Sequence, residues 1–218
     1  MSTREQLGRL PGPWWHVWRL AEKAGLPDLV AGHVSVPGSA GANADLKVSS
    51  LVAGMVAGAD SIEDMDLVRH GGMDKVFAGS RAPTTLGTHL RAYTFGHVRQ
   101  LDAVGSRTLV GLAGIVPGLL AGADQVAYVD VDDTIRPTHG YAKQGVGYGY
   151  TGIKGLNVQV ATLSTPTVAP VIAATRLRKG NSASAHGAPR LISDALATAR
   201  RAGATGTVTV RADSAYYN

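Results

Sequence analysis

The hydrophobic periodicity of this 218-residue sequence changes once, at Gly122, and that change limits the folds it can adopt. Before Gly122, apolar residues recur at steps of three and four, which predicts helices. After it, apolar residues form short β-rich runs around one amphipathic helix. The predicted elements are strands Gln125–Asp132, Gly152–Leu163, Val168–Leu177 and Thr207–Ala212, with helix Leu191–Ala202 before the last strand. We therefore predict an α/β protein with a helical region over residues 1–122 and a strand-rich domain over residues 123–218.

The order strand, strand, strand, helix, strand predicts a specific sheet. Three strands joined without a helix favour an antiparallel meander, and a right-handed crossover then returns the fourth strand parallel to a neighbour. Within the second strand, the predicted inward positions are Ile153, Leu156, Val158, Val160 and Leu163. The predicted apolar stripe of the helix consists of Leu191, Ile192, Ala195, Leu196 and Ala199. Within the helical region, helices are predicted from Trp14 and over Leu46–Ala59, a capping box at Ser61 and Asp64, and Trp14, Trp15 and Trp18 as core or interface anchors. Thr84–Val104 is predicted as one helix with arginines around it. A DNA-contacting helix pair and an ordinary bundle helix both fit that stretch.

Aspartates end the first and last strand runs, Asp132 in QVAYVDVD and Asp213 in TVTVRAD. If these strands are parallel neighbours, about 4.8 Å apart, the two carboxylates converge. Hard oxygen ligands of this kind fit Mg²⁺ or Mn²⁺. Strand alternation places Asp130 on the same face as Asp132, and Asp133 on the other face. The competing interpretation is that these acids only terminate strands.

The charge distribution points to a polyanionic partner. Residues 134–212 contain ten basic residues and a single acid, Asp194, and aspartates flank this basic segment on both sides. Carboxylates surrounded by basic residues suit a polyanion whose metal ions the carboxylates hold. A basic face that is merely solvated is the alternative.

Several classes of protein are excluded or disfavoured by the composition. There is no cysteine, which excludes disulfide frameworks, thiol catalysis and cysteine-based zinc sites. The N-terminus lacks the apolar core of a signal peptide, and glycine and proline interrupt the uncharged stretch Thr108–Ala123, so we expect a cytoplasmic protein without a membrane span. The glycine spacing of GVGYGYTG at 145–152 is similar to a dinucleotide fingerprint, but a strand pattern follows where that fingerprint needs a helix.

Several segments, taken together and in order, resemble the DDE-type insertion-sequence transposases. In the strand-rich half they are VDVDDT, YGYTGIKGLNVQV, TRLRKGNSASAHGA and VTVRADSAYYN. In the helical half they are KVSSLVAGMVAGADSIEDMDLVRHGG and PTTLGTHLRAYTFGHVRQLD. The resemblance covers roughly residues 45–218. It implies a ribonuclease H-like catalytic core that performs metal-dependent phosphodiester hydrolysis and strand transfer at insertion-sequence ends.

The resemblance also implies roles for individual residues. Asp132 and Asp213 match the first two catalytic acids and would bind Mg²⁺ (or Mn²⁺), with Asp130 as a reserve ligand. Arg176, Arg178 and Lys179 match a basic loop near DNA phosphates, for which a solvated loop is the alternative. The implied partner is double-stranded DNA, which the full-length parent would bind as a homodimer.

A third acid, a glutamate on a helix well downstream of the second aspartate, belongs to the same pattern. The sequence ends at Asn218, five residues after Asp213. We therefore expect an incomplete ribonuclease H-like domain, truncated before that glutamate, and whether it acts as an enzyme is left open. One alternative is a non-catalytic DNA-binding fragment that acts as an inhibitor or is a remnant. Another is a metal-dependent nuclease unrelated to transposition.

Overall fold

A computed structural model describes residues 14–70, 73, 77, 79–139 and 143–217. The chain divides into two compact units, Met1–Val104 and Gly105–Asn218. The division falls inside a helix, Phe95–Ile115. The boundary expected from the sequence, at residue 122, lies between that helix and the first strand. The units are described separately below.

The first unit is helical. Its elements, numbered along the chain, are α1 Trp14–Lys23, α2 Leu26–His33, α3 Ala44–Val56, a 3-10 helix Glu63–Arg69, α4 Pro83–Arg91 and the start of α5 Phe95–Ile115. The predicted helices that begin at Trp14 and at Leu46 are confirmed, with ends shifted by a few residues. Helix α2 was not predicted, because Gly25 and Pro27 look like stop signals. In the structure Gly25 has φ +84° and redirects the chain, and Pro27 lies in the first helical turn, where its missing N–H costs nothing.

The single helix predicted over Thr84–Val104 is wrong, because the structure has two helices there, α4 and α5. Thr94 precedes α5, and its backbone N–H donates to Nδ1 of His97, at 3.0 Å. That bond satisfies an amide at the start of the new helix, as a capping box does. The capping box predicted at Ser61 and Asp64 is confirmed, since each side chain accepts a bond from the other residue's backbone N–H.

The core of the first unit is built from aliphatic side chains and two aromatic rings. Trp18 packs edge-on against Phe77, with ring centroids 5.6 Å apart, which confirms Trp18 as a core anchor. The core also contains a fully buried histidine, His89. The Nδ1–H of His89 donates to the carbonyl of Ala40 at 2.7 Å, and its Nε2 accepts from the hydroxyl of Tyr93 at 3.1 Å. These two bonds use the donor and the acceptor of a neutral imidazole.

The burial of His89 predicts a pH-dependent stability. Burial lowers the pKa of His89 below its usual 6.5, Lys47 lowers it further, and the Ala40 carbonyl partly opposes the shift. Because the unfolded chain takes up this proton at a higher pH than the folded one, the contribution to stability is complete above about pH 6.5 and is lost as the pH falls below it. We expect the free energy of unfolding, from urea titrations between pH 7.5 and 5, to decrease more steeply for the wild type than for His89→Gln. Equal pH slopes for the two proteins would contradict the assignment.

The second unit contains a mixed five-stranded sheet and one helix packed against it. After the end of α5 come β1 Val126–Pro137, β2 Gly147–Tyr148, β3 Lys154–Thr165, β4 Val168–Arg178, α6 Ala188–Arg201, β5 Thr207–Ala212 and a 3-10 turn Ser214–Tyr216. The path through the sheet is β2-β3-β1-β5, and β4 also pairs with β3. Strand β3 is antiparallel to β1, β2 and β4, whereas β5 is parallel to β1. The α/β class, with helices followed by a mixed sheet, is therefore confirmed.

One face of the sheet packs against α6. On β1, the side chains of Ala127, Val129 and Val131 are buried. They belong to the same core cluster as Leu191, Ala195 and Ala199, the α6 residues predicted as its apolar stripe. The two small alanines on the helix let it approach the sheet closely, so the second unit has a continuous core on this face.

Two features of the strands differ from the sequence-based expectation. Strand β1 does not end at Asp132 but continues to Pro137, because its polar residues still pair with the start of β3. The predicted inward positions Leu156, Val158 and Val160 of β3 are wrong by one residue, and Ile153, just before β3, is exposed, whereas Leu163 is confirmed as buried. Asn157, Gln159 and Ala161 are the buried positions, and the apolar residues between them lie on the opposite, half-exposed face.

Candidate functional site

The parallel pairing of β1 and β5 brings two predicted site residues together. The register pairs Asp130 with Arg211 and Val131 with Ala212. The next residues along the two strands are Asp132 and Asp213. Paired residues of neighbouring strands project from the same face, and the ion pair between Asp130 and Arg211 places that face opposite α6. The pairing therefore brings the backbones at Asp132 and Asp213, just beyond the end of β5, next to each other, and Asp132 projects from the sheet face away from the helix.

Both of these aspartates are exposed, and each is oriented by a backbone amide. One oxygen of Asp132 accepts from the N–H of Asp133 at 2.7 Å. One oxygen of Asp213 accepts from the N–H of Ala215 at 3.0 Å, so that Asp213 caps the 3-10 turn after β5. These local bonds limit the rotation of each carboxylate while leaving it accessible to a ligand.

Asp130, the reserve ligand, is engaged by Arg211. The guanidinium pairs with both carboxylate oxygens, with Nη2 at 2.7 Å from Oδ2, and it stacks 4.2 Å above the ring of Tyr128. A bidentate pair of this kind occupies the ligand atoms of a carboxylate. The residues that the structure describes contain no group of three or more His, Asp or Glu side chains placed to hold a metal ion.

Asp132 and Asp213 nevertheless form a donor set that fits Mg²⁺. In proteins Mg²⁺ is often bound by one or two carboxylates, and waters and substrate phosphates complete its shell. With Asp130 neutralised by Arg211, the pair carries two negative charges, which one divalent cation balances. The donor chemistry is thus suited to a metal that is shared with a phosphate ligand.

Asp133 lies on the opposite face, in a buried polar network. Its side chain is only 7% exposed and pairs with Arg178, which is 5% exposed, at 2.8 Å. Asn157 donates to the same carboxylate oxygen, and Ser184 Oγ donates to the other at 2.9 Å. Strand alternation had predicted this separation of Asp133 from Asp132, and the structure confirms it.

The guanidinium of Arg178 donates its hydrogen bonds to groups inside the protein. Its Nε donates to Asn157 Oδ1 at 2.9 Å, and its Nη1 donates to the carbonyls of Ala183, Ser184 and His186. Burial lowers the pKa of this guanidinium, and the Asp133 carboxylate opposes that change. Since its donors face the protein, Arg178 does not lie where a phosphate contact would require it.

The other two residues of the predicted basic loop are placed differently. Arg176 is partly buried, and its Nη2 lies 3.4 Å from Asp194. Lys179 is exposed. Of the three cations assigned to DNA, Lys179 is therefore the one that the fold presents most openly.

Tyr216 packs beside the buried network and was not identified from the sequence. Its ring packs against the core shared with α6, beside Gln159. Burial, with the nearby charge of Asp133, raises the pKa of the Tyr216 hydroxyl to about 12. Because Tyr216 ends the turn that Asp213 caps, its anchoring fixes the segment that carries the second site acid. The aromatic residue three positions after Asp213 was the only sequence signal for this role.

The wider chain adds two observations about function. Among the described residues, no helix is both long enough and apolar enough to cross a membrane. Comparison with family models, with curated proteins and with solved structures gives no match for this chain.

Proposed function

We propose that this protein is a DNA transposase of the DDE type with a ribonuclease H-like core. In this proposal Asp132 and Asp213 bind Mg²⁺ or Mn²⁺ for phosphodiester hydrolysis and strand transfer at insertion-sequence ends. The observation that carries the proposal is the parallel register of β1 and β5, whose last pair, Val131 with Ala212, directly precedes the two aspartates. The order of strands and helix around them gives further support.

The chain's own residues have distinct tasks in this chemistry. A bound divalent cation supplies Lewis-acid polarisation of a phosphodiester oxygen. Asp132 and Asp213 provide its negatively charged ligands, and the amides of Asp133 and Ala215 orient them. Arg211 pairs with Asp130 and so removes a third negative charge that would repel the incoming phosphate.

The proposed partner is double-stranded DNA, bound by a homodimer in the cytoplasm. The supporting observation is charge, because residues 134–212 carry ten basic residues and one acid. Phosphate contacts by such residues supply most of the sequence-independent affinity for DNA. Lys179, at the end of β4, is the exposed cation that we assign to this contact.

A non-catalytic DNA-binding protein is the second candidate. It is favoured by the finding that no group of three or more potential metal-ligating side chains occurs among residues 14–70, 73, 77, 79–139 and 143–217. Such a protein would retain the basic surface but would not need Asp132 and Asp213 to bind a metal. The two candidates are therefore separated by a metal titration.

We expect Asp132→Asn and Asp213→Asn each to weaken Mn²⁺ binding by at least about tenfold, because each removes one of two charged ligands without changing side-chain size. Titration of the free Mn²⁺ signal by electron paramagnetic resonance, on the whole chain without DNA, measures this. Asp130→Asn is the matched control, since Arg211 already occupies that carboxylate, and its affinity should stay close to wild type. Mn²⁺ binding that is the same in the wild type and both site variants would reject the metal site and favour the second candidate.

A further inference from the structure

The glycine and tyrosine residues of the segment around β2 alternate, and the structure gives each type a separate task. A Cβ atom placed on Gly149 would lie 2.7 Å from the carbonyl oxygen of Gly180, and one on Gly147 would lie 3.7 Å from the backbone nitrogen of Asn181. In the other direction, a Cβ on Gly180 would lie 2.5 Å from the carbonyl oxygen of Gly147. The contact at Gly147 would tolerate a Cβ, but at Gly149 and Gly180 backbone packs directly on backbone, which only glycine allows. The glycines allow the segment to pack closely against the turn after β4.

The tyrosines of the same segment are exposed to solvent rather than packed in this contact. Tyr148 is 66% exposed and Tyr150 is 86% exposed. A large aromatic side chain loses favourable burial when it is left in water. Two such residues on a segment fixed by backbone contacts are therefore placed to meet a ligand rather than to stabilise the fold.

The register places Tyr148 on the same sheet face as the candidate metal ligands. Tyr148 pairs with Lys154 on β3. Along β3, every second residue projects from one face, and Val160 on that face pairs with Asp132 on β1. From Val160 to Lys154 is six residues, or about 20 Å along the strand, and β2 lies two strands from β1, about 10 Å across. A stacked nucleic-acid strand rises about 3.4 Å per nucleotide, so roughly six nucleotides span the distance.

Basic residues lie near the tyrosines. Arg136 shares this face, because it pairs with Leu156. Lys179 borders the turn before β2, where a Cβ on Gly145 would lie 3.7 Å from its Cγ. The sequence has no acidic residue between Asp133 and Asp194. Exposed aromatic rings among cations, without anions, are the combination that binds a single strand of nucleic acid.

We propose that Tyr148 and Tyr150 form a stacking platform for unpaired bases of a DNA strand, and that Arg136, Lys154 and Lys179 contact its phosphates. The proposal rests on the proposed function, since it extends the DNA contact from the metal ligands along the same sheet face. The cations around the two rings favour a polyanion over a protein as the partner.

The test measures how tightly the whole chain binds a fluorescein-labelled 15-nucleotide oligo-dT. Fluorescence anisotropy reports the binding, and EDTA is present to remove divalent metal ions. Tyr148→Ala and Tyr150→Ala should each weaken binding about 5- to 150-fold, the range for loss of one stacked base. Tyr148→Phe and Tyr150→Phe keep the ring and should stay near the wild-type affinity. Tyr217→Ala, which removes a 91% exposed tyrosine outside the segment, should have no effect. Lys179→Gln should reduce the slope of log affinity against log salt by about 0.7.

Different outcomes would overturn different parts of the proposal. Alanine variants that bind the single strand as tightly as the wild type would remove the platform, as would equal weakening by Tyr217→Ala. Tighter binding of the matching RNA strand than of DNA would overturn the assignment to DNA. Because Mn²⁺ binding is measured without nucleic acid, failure of the platform with Mn²⁺ binding retained leaves the proposed metal site standing.

Discussion

Replacement of Arg178 by methionine is expected to lower the free energy of unfolding by about 3–5 kcal/mol, the range for removal of one partner from a buried ion pair. The Asp133 carboxylate, 7% exposed, would remain charged in the interior without its counter-ion. The carbonyls of Ala183, Ser184 and His186 would lose a donor as well. Urea titration followed by circular dichroism measures the change.

The second ion pair of this sheet is the matched control. Arg211 and Asp130 make the same type of contact, but their side chains are 52% and 37% exposed. Water screens such a pair, so Arg211→Met should destabilise the protein far less than Arg178→Met. The double variant Asp133→Leu with Arg178→Met should recover part of the loss, since it leaves no unpaired charge. Equal losses for the two single methionine variants would show that burial does not govern the Arg178 pair.

The Arg178 network also explains how one short stretch of β1 serves two purposes. Asp132 and Asp133 are neighbours in sequence but project from opposite faces. Asp133 connects β1 to the loop before α6 through Arg178 and Ser184, and the ring of Tyr216, in the turn after β5, packs against the core beside this network. Both segments that carry the site acids are therefore held by contacts on the face of the sheet that packs against α6. The acids above it are oriented without needing partners of their own beyond backbone amides.

The arrangement of the acids was predictable because it depends on local rules. Alternation along a strand separates Asp132 from Asp133, and the handedness of a crossover places β5 parallel to a neighbour. The register that makes Asp213 the neighbour of Asp132 follows once the two strands pair. Each of these inferences uses only the order of elements and the two-residue period of a strand.

The buried network was not predictable, because its members are distant in sequence. On β3 the apolar residues Val158 and Val160 favoured the wrong face. The polar residues Asn157 and Gln159 are the buried ones, since Asn157 Oδ1 accepts from Arg178 and Gln159 Nε2 donates to the carbonyl of Ser184. Hydrophobicity ranks an isolated asparagine as exposed, and only its partner 21 residues away reverses that ranking. The same long-range pairing buries Arg178, for which the resemblance to transposases implies a phosphate contact.

Gly180→Ala is expected to destabilise the protein by about 1–3 kcal/mol, the usual cost of forcing a methyl group into a packed site. Its Cβ would lie 2.1 Å from the carbonyl oxygen of Gly155, and 2.5 and 2.9 Å from the carbonyl oxygen and nitrogen of Gly147. All three are backbone atoms of the sheet, so none of them can turn aside as the end of a flexible side chain would. Urea titration of the whole chain measures the loss.

The same substitution at Gly105 should have the opposite sign. Gly105 is an exposed residue inside α5, and a Cβ there would meet no atom within 4 Å. Alanine is the better helix former by up to about 1 kcal/mol, so Gly105→Ala should raise the free energy of unfolding. If the packing of β2 against the turn at Gly180 also positions the stacking tyrosines, Gly180→Ala should weaken oligo-dT binding, while Gly105→Ala leaves it unchanged. A Gly180→Ala protein as stable as the wild type would mean that β2 moves away from the turn at little cost, and the rigidity on which the platform depends would then be absent.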